Sequence, residues 1–387
     1  MFSARGTTTF ALAVLLTWAG GACPALTAEE EAAVASAVEA APDVPEYPPC
    51  GESDSCVPVR PAFSDLGPGC SETYAVFNTL FLQRDNQSMG RPLVVDGPAG
   101  GQAIAAGDMS FATQPAWRFF LGQAGGCDPG WEVGYLGVWG MFASRTASSP
   151  SGTLEAPGPL GLQPGVLGDA DFARASYRSS LNSAEFNLFR RVADGGPDRL
   201  AGEPWRRAGC YEGGSLDWLC GFRWAGLDET ALLAFTPPGN TGAGLYGVSS
   251  TSNIFAAQVG ARGRMAWERW AFESWGKVAF GGTAMSQAQQ PIVNSVISPG
   301  GVPLVERSAR SATEGGTGLI SDLNFSLVYR IDDTWGLRMG YNLIWLTGVA
   351  LAPNQFDFAA PPGGGTGLNG GSGVYLYGGN LGLEARW

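Results

Sequence analysis

The 387-residue sequence contains no histidine, and only 15% of its residues are charged. Without an imidazole, serine-histidine and cysteine-histidine hydrolysis and the common zinc and haem ligand sets are excluded, so catalysis would have to rest on carboxylates or thiols. Cations are scarce too: 23 Lys and Arg face 35 Asp and Glu, for a formal net charge of −12. Nucleic-acid binding needs a basic face, and no window gathers one, so that partner class is excluded. After the N-terminal segment no stretch reaches the roughly 18 consecutive apolar residues of a spanning helix. The chain is secreted, or it enters a membrane by another route.

The sequence is instead rich in glycine and aromatics, with 58 Gly, 13 Trp, 20 Phe and 10 Tyr. Its first residues read as an export signal: Arg5 supplies the charge, Phe10 to Trp18 the short apolar core, and Leu26-Thr27-Ala28 a small-residue cleavage site. A lipoprotein anchor at Cys23 is the rival, although Gly20-Gly21-Ala22 lacks the leucine-like residue expected there. Residues 29–72 are Ala/Glu-rich and then Pro-rich, a composition that denies a packed core and reads as a periplasmic linker. Cys50, Cys56, Cys70, Cys127, Cys210 and Cys220 form an even set in an exported chain, so disulfides are expected and their connectivity stays open. Cys127 and Cys210 are expected on the same, periplasmic side.

From residue 73 onward the dominant signal has period two. Trp335, Leu337, Met339, Tyr341, Leu343 and Trp345 share one face, with Arg338 and Asn342 on the other. The preceding run places Leu323, Phe325, Leu327, Tyr329 and Ile331 against Asp322, Asn324, Ser326 and Arg330, and only Asp332-Asp333 separates the two, as in a tight hairpin. Similar alternation sets Leu216, Trp218, Phe222 and Trp224 against Asp217 and Arg223, and Trp131, Val133, Tyr135 and Trp139 against Glu132. Aromatics at both ends of an apolar face suit the two lipid-water interfaces of a membrane barrel.

Ten strands are expected near 73–84, 111–122, 130–142, 173–191, 215–235, 251–263, 270–283, 317–331, 334–347 and 373–387. The fold class is therefore all-β: a closed antiparallel transmembrane β-barrel of about 10 strands, within a range of about 8–12, with long external loops and short periplasmic turns. The segment 192–214 is long for a periplasmic turn, and a further strand could hide there or in 85–110. Trp387 ends an alternating strand, similar to the signal by which outer-membrane barrels meet their assembly machinery.

These residues resemble the β-barrel porin family numbered seven. The likeness runs in order through Leu80 to Asn86 with Arg91 to Val94, Tyr177 to Asn187, Gly221 to Trp224 with Glu229, Asn253 with Gln258 to Gly260, Lys277, Gly340-Tyr341 with Trp345-Leu346, and Gly378 to Gly382. The resemblance implies an exported outer-membrane barrel and no particular solute.

Charges facing lipid cost about 2–4 kcal/mol each at the midplane, so alternation sends them inward. The lumen is thus expected to hold Arg84, Arg118, Glu132, Glu185, Arg223, Glu229, Glu273, Lys277, Arg330, Arg338, Glu384 and Arg386. They form either a structural ion-pair network or a charged constriction. Open aqueous porins have about 16 strands and side chains nearly fill barrels of about 8, so a count near ten favours the network. Asp85, Asp96, Asp108, Asp169, Asp171 and Asp357 in the loops read as solvated charge rather than catalytic pairs, and Gly363 to Gly367 is not a phosphate loop. No enzyme, cofactor or metal is expected. Two functions remain: a porin-type barrel passing small hydrophilic solutes or filling a structural place in the envelope, and a plugged barrel acting through its external loops as an adhesin-like or scaffold protein.

Overall fold

Alternation at period two produces fifteen strands among the described residues, and ten of them close on one another. The computed structural model describes residues 72–387 apart from 89, 98–99, 125–128, 159, 161, 163–165, 196–210, 240–242, 268, 298–302 and 361–364. The signal, 1–28, the 29–72 linker up to residue 71, and Cys127 and Cys210 lie outside the described residues, while Glu72 begins β1.

In chain order the strands are β1 (Glu72–Asp85), β2 (Pro92–Asp96), β3 (Gly101–Ala105), β4 (Gln114–Ala124), β5 (Gly130–Ser148), β6 (Leu154–Glu155), β7 (Phe172–Gly195) and β8 (Tyr211–Thr236). They continue with β9 (Gly244–Trp267), β10 (Trp270–Gln289), β11 (Ile292–Ile297), β12 (Pro303–Arg307), β13 (Arg310–Arg330), β14 (Trp335–Val349) and β15 (Ser372–Arg386). The barrel runs β1-β15-β14-β13-β10-β9-β8-β7-β5-β4, every pair antiparallel. Closure is made by β1 on β15, with Tyr74 opposite Arg386 and Asp85 opposite Tyr375. Thr73 and Trp387 extend the seam by exchanging backbone hydrogen bonds of 2.9 and 3.0 Å. A closed sheet satisfies its own peptide groups, which hydrocarbon cannot do.

Each expected strand has its counterpart, and the structure lengthens several. β7 and β8 reach Gly195 and Tyr211, so the connection of doubtful length shrinks to 196–210. Residues 86–113 do hold two strands, but these pair outside the barrel in a small β3-β2-β6 sheet. Long connections at 86–113, 149–171, 290–309 and 350–371 all open from one end, where only 237–243 is short. The other end carries the short connections, apart from 196–210. The Asp332 carboxylate accepts from the Thr334 and Trp335 N–H groups at 2.8 Å, and the Ile331 N–H donates to the Trp335 carbonyl at 2.9 Å, which together hold the β13-β14 turn.

The outer wall exposes Phe77, Trp117, Phe119, Trp218, Phe222, Phe255, Phe280, Phe325, Tyr341 and Leu381, a lipid-facing surface. Burial of the opposite face splits into two layers. Toward the long-loop end lies an apolar core; toward the short turns charged inward residues interleave with a smaller apolar cluster of Tyr74, Val76, Phe120, Phe189, Leu219 and Trp275. A bulge between Thr347 and Val349 ends the regular ladder of β14. Gly348 there has φ +74°, and a Cβ would stand 2.0 Å from the Thr317 carbonyl oxygen, so only glycine fits. Beyond it Val349 to Phe356 are buried, and the chain folds inward as a plug against β8 and β9.

Candidate functional site: a crossed and plugged lumen

Inward side chains come from strands on opposite walls, so their bonds cross the barrel. Beneath the plug, the Arg84 guanidinium (β1) meets the Glu229 carboxylate (β8) at 2.6 Å and donates to the Tyr177 hydroxyl (β7) at 2.7 Å. Tyr177 and Ser179 in turn donate to Glu229, at 2.7 and 3.2 Å. The Phe111 and Tyr177 rings lie 4.7 and 4.9 Å from the Arg84 guanidinium carbon, within cation-π range. Glu229 also holds the plug, accepting from the Ala352 N–H at 2.9 Å. Ser250 donates to the Ala350 carbonyl and Ser252 accepts from the Ala350 N–H, so the plug's backbone is satisfied by barrel side chains. Its apolar surface is covered as well: Phe356 lies edge-on to Tyr246 at 5.0 Å.

In the middle of the lumen Asp322 (β13) serves two arginines through one oxygen. Arg118 (β4) reaches it at 2.8 Å and Arg223 (β8) at 3.0 Å, and all three side chains are at most 2% exposed. Arg118 also donates to Asn342, and Arg223 to Ser183. Nearby, Lys277 (β10) bridges Glu132 (β5) and Glu185 (β7), each at 3.1 Å.

Nearest the short turns, Arg338 (β14) joins Glu273 (β10) at 2.7 Å and also pairs with Glu384 (β15). Arg264 (β9) spans the barrel to Glu384 at 3.0 Å and holds Glu273 at 2.9 Å, while Arg386 pairs with Glu384. Arg262 (β9) binds Asp217 and Glu132 and donates to the Tyr74 hydroxyl (β1) at 2.9 Å. The cavity left among Tyr74, Glu132, Arg262, Trp275, Lys277 and Arg338 measures about 20 Å³. That is room for about one water molecule.

Eleven of the twelve candidate charges take part in the contacts described above. Arg330 lies at the end of β13, half-buried, where its backbone N–H donates to the Arg269 carbonyl at 2.7 Å. Four central ions stand outside the twelve candidates: Asp217 and Asp322, placed on polar faces by the alternation, and Arg262 and Arg264. Their signal was present, since Asp322 shares its face with Asn324 and Ser326, and Arg262 and Arg264 continue the parity of Gln258. The loop carboxylates are not brought together. Asp96 accepts from Ser149 and Thr153, and Asp108 from the Ala105 N–H. Partial burial of the Asp357 carboxyl opposes its ionisation. The Gly365 and Ala359 N–H groups, with Arg307 and Arg91 nearby, outweigh this and hold it below the ordinary aspartate range. Among the described residues no group of three potential ligands could hold a metal ion.

Similarity to solved structures is low throughout. The outer membrane protease OmpT of Escherichia coli is 11% identical over 82% of this chain and 97% of its own, with a TM-score of 0.42. Ail, the attachment invasion locus protein of Yersinia pestis, is 8% identical over 81% and 98%, with a TM-score of 0.18. The toluene transporter TodX of P. putida is 10% identical over 84% and 92%, with a TM-score of 0.17. No curated protein matches the chain. The family model described as "Putative beta barrel porin-7" matches residues 175–373, from within β7 to the start of β15 and just over half of the chain. The crossed ten-stranded barrel therefore belongs to the beta barrel porin-7 family of outer-membrane proteins.

Proposed function

We propose that the protein is a sealed outer-membrane barrel that acts at its long-loop end, as a scaffold or adhesin-like interaction protein rather than an open pore. The closed lumen carries this reading: ion pairs cross it at successive levels, the Val349 to Phe356 plug fills the end above them, and the cavity among Tyr74, Glu132, Arg262 and Arg338 is about 20 Å³. Passage of small hydrophilic solutes needs a continuous water path, and open aqueous barrels use about 16 strands. The described charges nearly cancel inside the lumen, so no field of one sign is available to select ions.

Export through the 1–28 signal, a periplasmic spacer over 29–72 and recognition of the Trp387-terminated strand by the assembly machinery complete the proposal. The long-loop end then faces outward and presents the β3-β2-β6 sheet and the β11-β12 hairpin. No catalytic role is assigned. Purified protein in planar lipid bilayers is expected to stay silent under applied voltage. Stepwise unitary conductance in the parent protein would overturn the scaffold reading in favour of the porin one.

A further inference from the structure

Outside the lumen, one stretch of wall departs from the lipid-facing pattern. Between β5 and β9, toward the long-loop end, outward positions carry Arg178, Ser180, Asp228, Thr230, Ser249 and Thr251 instead of aromatics. They line a hollow of about 660 Å³. The β5 bulge shapes it: between Val138 and Met141 the ladder loses register, and Gly140, at φ +74°, has nothing within 4 Å of where its Cβ would sit.

The place of this hollow along the wall is fixed by its neighbours. Immediately toward the barrel waist lie Tyr135 and Trp139, both donating to Asn182, and Trp224, donating to Asn253. Aromatic rings with their polar edges satisfied on the outer wall mark a membrane interface. The hollow begins about four residues above Trp224, so it stands at headgroup depth, with acyl chains below it and water above. Its chemistry matches that depth. Arg178, stacked on Phe142 at 5.6 Å, offers guanidinium donors, and Arg174 lies further up the same outward face of β7. Ser180, Thr230, Ser249 and Thr251 add hydroxyls that both donate and accept, while Asp228 accepts from Thr251 at 2.8 Å.

We infer that this hollow is a lateral binding site for a membrane lipid with an anionic, hydroxyl-rich headgroup, its phosphate on Arg178 and its sugar-like hydroxyls on the serine and threonine row. The site lies outside the barrel and does not depend on whether the lumen conducts. A bilayer lipid is the occupant because the hollow opens directly above the lipid-facing aromatics, so a bound headgroup can keep its chains in hydrocarbon.

The test uses the full-length protein reconstituted in vesicles of phosphatidylinositol in phosphatidylcholine, extracted in mild detergent and weighed by native mass spectrometry for retained lipid. The parent is expected to retain phosphatidylinositol over phosphatidylcholine, and Arg178→Gln to lose about fivefold of that retention, as one basic contact near the surface implies. Arg190→Gln, an exposed outward position at the short-turn end of β7, is expected to leave it unchanged. All three must show the same heat-dependent gel shift, which reads the folded barrel. Equal retention by Arg178→Gln and the parent, an equal loss in Arg190→Gln, or no preference over phosphatidylcholine would overturn the site. Displacement of the lipid by soluble inositol 1-phosphate at equal concentration would overturn the lipid as its occupant.

Discussion

Removing Asp322 strikes the lumen where its charges are most interdependent. A single carboxylate oxygen takes Arg118 from one wall and Arg223 from the other, in surroundings that expose no more than 2% of any of the three side chains. In Asp322→Ala both guanidiniums lose the carboxylate they share, and stripping one partner from a buried pair costs about 3–5 kcal/mol. Arg223→Met is milder because Asp322 keeps Arg118, and a charge-assisted hydrogen bond is worth about 1.5–3 kcal/mol. Replacing all three with Met, Leu and Met removes the shared triad and leaves Lys277 paired with Glu132 and Glu185, and apolar substitution of a buried triad is often neutral or stabilising by about 1–4 kcal/mol. The expected order of stability therefore places the triple variant above Asp322→Ala, although it carries more changes. Urea unfolding in lipid vesicles, followed by tryptophan fluorescence and the gel shift of the folded barrel, measures this directly. A triple variant as unstable as the sum of its single changes would refute the coupling. So would an Asp322→Ala variant within about 1 kcal/mol of the parent, since water must then screen these charges.

Gly348→Ala forces a side chain into a left-handed bulge against the Thr317 carbonyl, so limited proteolysis should cut the 349–358 plug faster than in the parent; equal rates would mean that the bulge relaxes. Trp387→Ser, or deletion of β15, should prevent assembly, because an unclosed barrel strands its backbone groups in hydrocarbon at several kcal/mol each; normal heat-modifiable barrels from the truncated chain would contradict closure by β1 on β15. The depressed acidity of Asp357 gives a signed pH effect. Its hold on the Ala359 and Gly365 N–H groups is fully present above the ordinary aspartate value of about 4 and is lost as pH falls through the lower folded value, so amide exchange at these two residues, corrected for intrinsic rates, should rise on acidification. Asp357→Asn should remove that dependence, and an unchanged profile in the variant would assign it elsewhere.

Strands were legible because a membrane wall repeats one rule over its whole height: lipid on one side, packed interior on the other. Trp335 to Trp345 and Leu323 to Ile331 show it without interruption, and the two-aspartate turn between them is held by Asp332. The charged lumen was legible in the same way, position by position, except where a face changes composition; Arg262 and Arg264 sit among glycines and alanines that blur the alternation of β9. The plug had no such signal. Residues 350–358, Ala-Leu-Ala-Pro-Asn-Gln-Phe-Asp-Phe, follow no period, and their burial is set by partners distant in sequence, Glu229, Ser250, Ser252 and Tyr246. Only a closed barrel supplies those partners together, so local pattern could not reveal it. The small β3-β2-β6 sheet was hidden for the same reason, its third strand being two residues long.

The plug lies between β14 and β15, and those strands also carry Arg338, Glu384 and Arg386. A chain interrupted before them lacks the seam, the plug and half of the ion cluster near the short turns at once. Glu229 then has no Ala352 N–H, Glu273 has no Arg338, and the unfinished interior must be solvated. Wall closure and dehydration of the lumen therefore depend on the same hairpin, and the buried charges stay wet until it is in place.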